Sequence, residues 1–254
     1  MTPSDFEQTR ESYDALAQSY RQAKTLPFVE YVLRHSLLRL AGGLEGKSVL
    51  DLGCGEGHNT RLAKQAGAER VLGVDISREM INLAEEIERA LPLGCRYQVA
   101  DVADLALKDS FDLVLGVFLL NYAADRAQLL SLCQTIARAL RPGGRFVGLN
   151  TNMALDPSHY DDCRKYGRWM TTTAARAEGD VIAVHLGDPD GDAVRLENHY
   201  LSPATYESAF AEAGLREFGW HGPWVSQVGI EAFAPGYWEA FLAAPPVIGL
   251  QAVK

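Results

Sequence analysis

The 254-residue chain carries a formal charge of −9 without any basic cluster, which argues against a nucleic-acid partner held through its phosphates. Its 47% hydrophobic content suits a globular core, and no apolar run approaches the ~20 residues of a membrane-spanning helix. The cysteines Cys54, Cys95, Cys133 and Cys163 show no C-x-x-C spacing, so neither a zinc site nor a disulfide framework is expected.

Thr2 to Glu7 is polar and acidic, unlike a signal peptide, and a cytoplasmic protein without membrane contact is expected. Tyr13, Leu16, Ala17 and Tyr20 recur at helical spacing and predict an aromatic stripe along one helix face. Pro27 separates it from a second helix, Phe28 to Leu40, ended by Gly42 and Gly43. Lys47 to Leu52 then reads as a short buried strand. It closes on Asp51, glycines follow at positions 53, 55 and 57, and helical sequence runs from Asn59 to Ala66. Bare backbone between a strand and a helix N-terminus lets a ligand approach closely. The dinucleotide fingerprint is G-x-G-x-x-G. Here the spacing is G-x-G-x-G, and Asp51 would stand close to a pyrophosphate, so a ligand with a cationic amino group fits better. Cys54 reads as a small residue that suits the turn.

The second strand, Arg70 to Asp75, ends in an acid placed to take both hydroxyls of a ribose, and Ser77 caps a helix through Arg89. The interval from Gly57 to Asp75 would also suit NAD. A third strand, Arg96 to Val99, leads to Asp101 and Val102, and a fourth buried strand starts at Phe111-Asp112. Ligands of open α/β sheets lie outside the carboxyl ends of the strands, which places Val117, Phe118, Asn121 and Tyr122 at the edge of a site. A helix from Asp125 to Leu140 and the turn Arg141-Pro142-Gly143-Gly144 lead into the fifth strand, through Asn150. From Thr151 the alternation stops. Ser158 to Met170 predicts an extra helix rich in Tyr160, Tyr166 and Trp169; Val181 to Leu186 and Ala193 to Leu201 predict a hairpin. A helix from Ser202-Pro203 to Gly214, a sixth strand from Leu215 to Val225, a helix from Tyr237 to Ala243 and a last strand from Pro246 to Val253 complete the chain.

Asp51-Leu52-Gly53-Cys54-Gly55-Glu56-Gly57, followed in order by strand–Asp75, strand–Asp101–Val102 and strand–Pro–Gly–Gly–strand, resembles the class I S-adenosylmethionine-dependent methyltransferases and their motif I. The resemblance implies an α/β fold: a Rossmann-like, seven-stranded, mostly parallel sheet with helices on both faces. It implies a single domain with N-terminal lid helices (1–40), a cofactor-binding core (47–150), a substrate-cap insertion (151–201) and a C-terminal part of the sheet (202–254). The cofactor implied is S-adenosylmethionine, with S-adenosylhomocysteine as product. The partner implied is a small-molecule methyl acceptor, met by a monomer or homodimer. Cofactor contacts are expected from Tyr20, Asp51, Gly53, Cys54, Gly55, Asp75, Ile76, Asp101, Val102 and Val117, with Asp101 facing the adenine amino group and Val102 packing the ring. Tyr20 would reach the cofactor from the lid helix. His58 stands beside the glycines, either at the methionine end of the cofactor or in solvent.

Substrate contacts are expected from Tyr13, Phe118, Tyr122, Asn150, Asn152 and Trp169, although turn chemistry accounts nearly as well for the two asparagines. His185 and His199 flank the hairpin turn and are the candidates for a base or a substrate-positioning group, against ordinary structural roles. Leu26-Pro27-Phe28, Leu120 to Ala123 and Pro245 to Ala252 are similar to the toxoflavin-type azapteridine N-methyltransferases. That likeness implies N-methylation of a planar heteroaromatic metabolite in secondary metabolism. O- or C-methylation of a phenolic or acidic-carbon molecule is the alternative. An NAD(P)-dependent oxidoreductase is opposed by the glycine spacing, by Asp51 and by the lack of a hydride-transfer dyad; a non-catalytic cofactor-binding protein is the third reading. Neither H-E-x-x-H nor G-x-S-x-G occurs, and methyl transfer needs no metal and no nucleophilic triad.

Overall fold

A computed structural model describes residues 25–172, 176–191 and 193–254. The aromatic helix expected around Tyr13 and Tyr20 lies outside them. The strands in chain order are β1 Ser48–Leu52, β2 Arg70–Asp75, β3 Arg96–Val99, β4 Phe111–Val117, β5 Leu140–Thr151, β6 Arg168–Thr172, β7 Val181–Gly187, β8 Ala193–His199, β9 Arg216–His221 and β10 Val247–Val253.

Apolar side chains on both faces of β1, where Val49, Leu50 and Leu52 are fully buried, require cover on both sides, as a parallel sheet has. Accordingly β1 pairs in parallel with β2 and β4, β2 with β3, and β4 with β5, while β10 runs antiparallel between β5 and β9. The result is a seven-stranded Rossmann-like sheet in the order β3-β2-β1-β4-β5-β10-β9, with one apolar core on each face.

The flanking helices start where short polar side chains replace the missing backbone acceptors. The Ser77 hydroxyl accepts from the Met80 N–H ahead of Arg78–Ala90, Asp125 from Gln128 ahead of Arg126–Ala139, and Ser202 from Thr205 ahead of Pro203–Glu212. Each such cap is worth about 1 kcal/mol. Among the described residues no helix is long and apolar enough to cross a membrane.

Four expectations need correction. The helix after Pro27 is two pieces, a π-helical turn Val29–Leu33 and the α-helix Arg34–Ala41. The fifth strand begins before the Pro-Gly-Gly turn, which becomes an irregularity inside β5: Phe111 pairs with Leu140, but Leu113 pairs with Arg145. The sixth strand stops at His221, short of Val225. Finally, Ser158 to Met170 is not a helix. It forms two 3₁₀ turns, Pro157–His159 and Arg164–Tyr166, and then enters β6. Gly167, at φ +80°, turns the chain where a Cβ would meet the Leu26 side chain at 2.6 Å. The insertion is therefore a three-stranded antiparallel sheet, β6-β7-β8, with the expected hairpin as β7 and β8. Tyr166 ties it to the C-terminal part: its ring stacks on Trp238 at 5.4 Å, and its hydroxyl donates to the Tyr237 carbonyl.

Candidate functional site

A cavity lies between the carboxyl ends of the parallel strands and the inserted sheet. The exits of β1, β2 and β3 contribute Gly53 to Gly55, Asp75, Ile76, Asp101 and Val102 to its wall. The opposite end is walled by Phe118, Tyr122, Thr151, Arg168, Val184, Leu186, Leu196 and Asn198.

The glycine turn is anchored before any ligand arrives. The Gly53 and Cys54 N–H groups both donate to the Val74 carbonyl, at 2.8 and 3.0 Å. Gly55 donates to Asp75 Oδ2 at 2.7 Å, while the Ser77 N–H donates to Asp75 Oδ1 at 2.9 Å. Asp75 is thereby held against the cavity wall by both oxygens, and a carboxylate with about four lone-pair sites can still receive a diol. Gly55 has φ +55° with nothing within 4 Å of a would-be Cβ, so it leaves bare backbone in open space. Gly57 is glycine for another reason, since at φ +83° an added Cβ would strike the Tyr97 hydroxyl at 2.5 Å. It starts the helix His58–Gln65, whose first residue, His58, also lines the cavity.

Asp101 is both a turn cap and a wall residue. Its Oδ1 accepts from the Ala103 N–H at 2.8 Å. Burial raises its pKa, Ala103 works against the rise, and nearby Asp104 adds to it.

Asp51 does not line the cavity. It is 1% exposed and accepts from the Thr60 hydroxyl at 2.7 Å, so it braces the helix His58–Gln65 against β1. That placement corrects the expected direct contact with a ligand amino group.

Val117, Phe118, Asn121 and Tyr122 are where the strand-end rule puts them, on the wall. Phe118 is in the left-handed region at φ +55°, held by its N–H donating to the Leu149 carbonyl at 2.7 Å. Such a conformation costs a bulky residue about 1–3 kcal/mol and persists where the surroundings enforce it. Its ring lies 5.3 Å from the Arg168 guanidinium carbon. Burial pushes the Tyr122 phenol up, opposed by the Arg168 charge and by a hydrogen bond with the Asn198 side chain.

The remaining candidates stand elsewhere, among the described residues. Asn150 is buried and donates to the Tyr206 hydroxyl at 2.9 Å; Asn152 donates to the Pro245 carbonyl at 2.9 Å and accepts from Ala154. Neither lines the cavity, so both are structural. Trp169, His185 and His199 are corrected by strand alternation, because successive side chains of a strand point to opposite faces. Arg168 on β6, Val184 and Leu186 on β7, and Leu196 and Asn198 on β8 line the cavity; the odd-numbered neighbours do not. Trp169 and His185 stack on each other at 5.1 Å on the other face, with Thr171 Oγ1 3.1 Å from His185 Nε2. Burial lowers the His185 pKa, and Arg195 and Arg164 lower it further. His199 Nδ1 donates to the Gly179 carbonyl at 3.1 Å. Tyr13 and Tyr20 lie outside the described residues.

Sequence reasoning missed Thr151, Arg168 and Asn198. The alternation of apolar Ile182, Val184 and Leu186 in the hairpin carried the signal. Asn198 pairs with Ile182, and Arg168 with Leu186, on that same face.

An acid braced for a diol, a second acid beside an apolar contact and an open glycine turn suit a nucleoside linked to an amino acid. Residues 49–144 match the methyltransferase domain family. The chain is 30% identical over 209 residues to the trans-aconitate 2-methyltransferase of Variovorax paradoxus, covering 82% of this chain and 70% of that protein. It is 33% identical over 196 residues to a cypemycin N-terminal methyltransferase of a Streptomyces species, covering 72% of this chain and 75% of that one. The solved DhpI–SAM–HEP complex shares its fold at a TM-score of 0.64, with 20% identity over 99% of both chains.

Proposed function

The chain belongs to the class I S-adenosylmethionine-dependent methyltransferases, and we propose that it methylates a ring nitrogen of a small planar heteroaromatic molecule in secondary metabolism. The observation that carries this reading is the make-up of the cap end of the cavity. Its walls are apolar or hydrogen-bonding, with Phe118, Val184, Leu186 and Leu196 beside Tyr122, Thr151, Arg168 and Asn198. No carboxylate or imidazole is among those cap residues; among the described residues of the cavity wall the imidazole is His58, which stands at the glycine turn, so the cap itself offers no group suited to take a proton from a phenol or an acidic carbon. A ring nitrogen attacks with its own lone pair and needs no base.

S-adenosylmethionine would supply a methyl group on a sulfonium, given up to an acceptor lone pair as the S–C electron pair returns to sulfur. Asp75 would hold the ribose hydroxyls, Asp101 and Val102 would hold the adenine, and the Gly53–Gly55 backbone would leave room for the amino-acid end. The flat wall at Phe118 and the cap residues fix the acceptor ring. Alignment of two reactants contributes on the order of 7–11 kcal/mol when it is good, so positioning suffices as the protein's main task.

A second reading, O-methylation of a carboxylate, is favoured by the similarity to a trans-aconitate 2-methyltransferase, since a carboxylate also needs no base. The test is a screen of planar heterocycles, small carboxylic acids, phenols and carbon acids for S-adenosylhomocysteine release, with the methylated atom located by mass spectrometry and NMR. Methyl on a ring nitrogen supports the first reading. Exclusive methylation of carboxylate oxygen selects the second, and transfer only to phenols or carbon acids refutes both.

A further inference from the structure

We infer that Asn121 is a specificity-determining residue for the acceptor, which presents an amide-type edge to it: a ring N–H beside a carbonyl oxygen, or a ring nitrogen beside an amino group. This names the substrate class of the small-molecule methyltransferase reading above and rests on it. Asn121 lies in the 3₁₀ turn Leu120–Tyr122 that follows β4; it lines the cavity and is only 1% exposed. Neither its Oδ1 nor its Nδ2 has a hydrogen-bond partner among the described residues. Buried polar groups are nearly always paired, so an amide orphaned at both atoms in a cavity wall points to a ligand that completes it.

A structural role does not account for this side chain. Asn150 and Asn198 are as deeply buried, and each is bonded by a neighbour, the first to the Tyr206 hydroxyl at 2.9 Å and the second to the Thr151 hydroxyl at 2.8 Å. Gln128, also on the wall, has its oxygen occupied by the Ala124 N–H at 3.0 Å. The backbone that carries Asn121 is fixed. The Tyr122 and Ala123 N–H groups donate to the Leu119 and Leu120 carbonyls, both at 3.2 Å, and the Leu120 carbonyl also accepts from the Tyr206 hydroxyl at 3.3 Å. Asn121 is thus an unused carboxamide on a rigid mount.

A carboxamide offers an acceptor and a donor side by side. Its complement is a group with one donor and one acceptor at the same spacing, joined to it by two antiparallel hydrogen bonds. In a planar heterocycle that group is a lactam edge or an aminoazine edge. A half-turn of the amide exchanges its oxygen and nitrogen, so either sense of the edge is accommodated. A ring without the N–H leaves one amide atom unpaired in a buried site, and such sites reject the deficient analogue strongly.

The turn belongs to the acceptor's end of the cavity. The acids placed for the nucleoside, Asp75 and Asp101, stand at the ends of β2 and β3, and β1 separates β2 from β4. Asn121 is bracketed in the chain by Phe118 and Tyr122, which wall the cap end, and the Tyr122 side chain is bonded to Asn198 of β8. The paired edge serves as an anchor. A nitrogen that gives its N–H to Asn121 keeps its proton, so the methylated atom lies elsewhere on the ring.

The test uses the full chain saturated with S-adenosylhomocysteine and titrated calorimetrically with two matched pairs: 4-quinazolinone against its N3-methyl derivative, and 2-aminopyrimidine against 2-(dimethylamino)pyrimidine. At least one parent should bind about tenfold or more tightly than its methylated match. In Asn121→Leu that preference should disappear, while affinity for S-adenosylhomocysteine stays within about twofold of wild type. Asn121→Asp, which has the same shape without the donors, should lose the preference as well, so that a change of packing is not what is read. Methylated analogues that bind as well as their parents, a preference that survives in Asn121→Leu, or binding of neither parent to the loaded wild-type protein would overturn the inference. A folded Asn121→Leu protein that loses S-adenosylhomocysteine would overturn it too, by giving the amide to the methyl donor. The comparison of parents with methylated analogues in the wild-type protein needs no variant to fold. Failure of the wild-type protein to bind S-adenosylhomocysteine would instead undo the reading on which the inference rests.

Discussion

Replacing Asp75 with Ala separates a binding role from a structural one, because the proposed function gives the carboxylate both jobs. Its oxygens accept from the Gly55 and Ser77 N–H groups at 2.7 and 2.9 Å. A ribose diol adds two hydrogen bonds to a charged acceptor, each worth about 1.5–3 kcal/mol. Sharing those oxygens with two backbone donors argues for the lower end, about 3 kcal/mol together, or roughly two orders of magnitude in affinity. The truncation also strips two backbone donors of their acceptor, at about 1–3 kcal/mol where water does not replace it. Asp75 is half-buried rather than sealed in the core, so the fold should survive on a typical reserve of about 5–15 kcal/mol. Asp75→Asn keeps one oxygen acceptor, loses the charge and should fall between the two. Calorimetric titration with S-adenosylhomocysteine, paired with a urea melt, reads both effects. Unchanged affinity in a folded Asp75→Ala protein would refute the diol assignment.

Other outcomes follow from the same geometry. His185→Ala and His199→Ala, singly or together, should leave methyl transfer within about twofold of wild type, since neither ring lines the cavity; a loss of 10²-fold or more, the scale of general-base catalysis, would restore one of them as a base. Gly57→Ala should cost about 2–4 kcal/mol, from left-handed strain together with the clash against Tyr97, and should show as a lowered thermal midpoint. Gly55→Ala carries the left-handed strain without a clash, so it should lose less stability than Gly57→Ala and should weaken S-adenosylhomocysteine binding more; the reverse pattern would contradict the two glycine roles. His185 has a folded pKa below its unfolded value, so the unfolded chain takes up the proton first. Its contribution to stability is then complete above the unfolded value near 6.5 and is lost as pH falls below it. Denaturant midpoints measured on both sides of that value should show a shallower acid slope in His185→Gln than in wild type.

The sheet was legible because its signals are local. Short apolar runs such as Val71 to Val74 and Leu113 to Val117 are too short for buried helices and rich in valine, so they read as buried strands, and the acids and glycines at their ends announce where the chain leaves the core. Ser77, Asp125 and Ser202 marked helix starts by the same local logic. β6 was not legible, because the run Ser158 to Met170, rich in Tyr160, Tyr166 and Trp169, shows no strand alternation and reads as an extra helix. What makes the segment a strand is its pairing with β7, Trp169 against His185 and Met170 against Val184, which no local period encodes. Arg168 was hidden by the same error, since a lone arginine in a helix reads as a solvated charge. The even–odd alternation of the hairpin was present in Ile182, Val184 and Leu186 against Ala183 and His185. What the alternation does not carry is which face meets the cavity, and that depends on how the cap seats on Phe118 and Leu149. Asn150 and Asn152 were ambiguous for a simpler reason: an asparagine at a strand exit serves a turn as readily as a ligand.

The pleat of the inserted sheet divides its residues into two populations that can change independently. Substitutions at 184, 186 and 196 would reshape the acceptor chamber without touching the Trp169–His185 stack, and substitutions at 185, 195 and 197 would redecorate the outer surface without altering the chamber. The registers Arg168 with Leu186 and Ile182 with Asn198 enforce that division, since a slip of one residue would turn His185 inward and Val184 outward together. A scaffold of this kind would be retargeted by exchanging every second residue of a hairpin, while the glycine turn and the acids at the strand ends stay as they are.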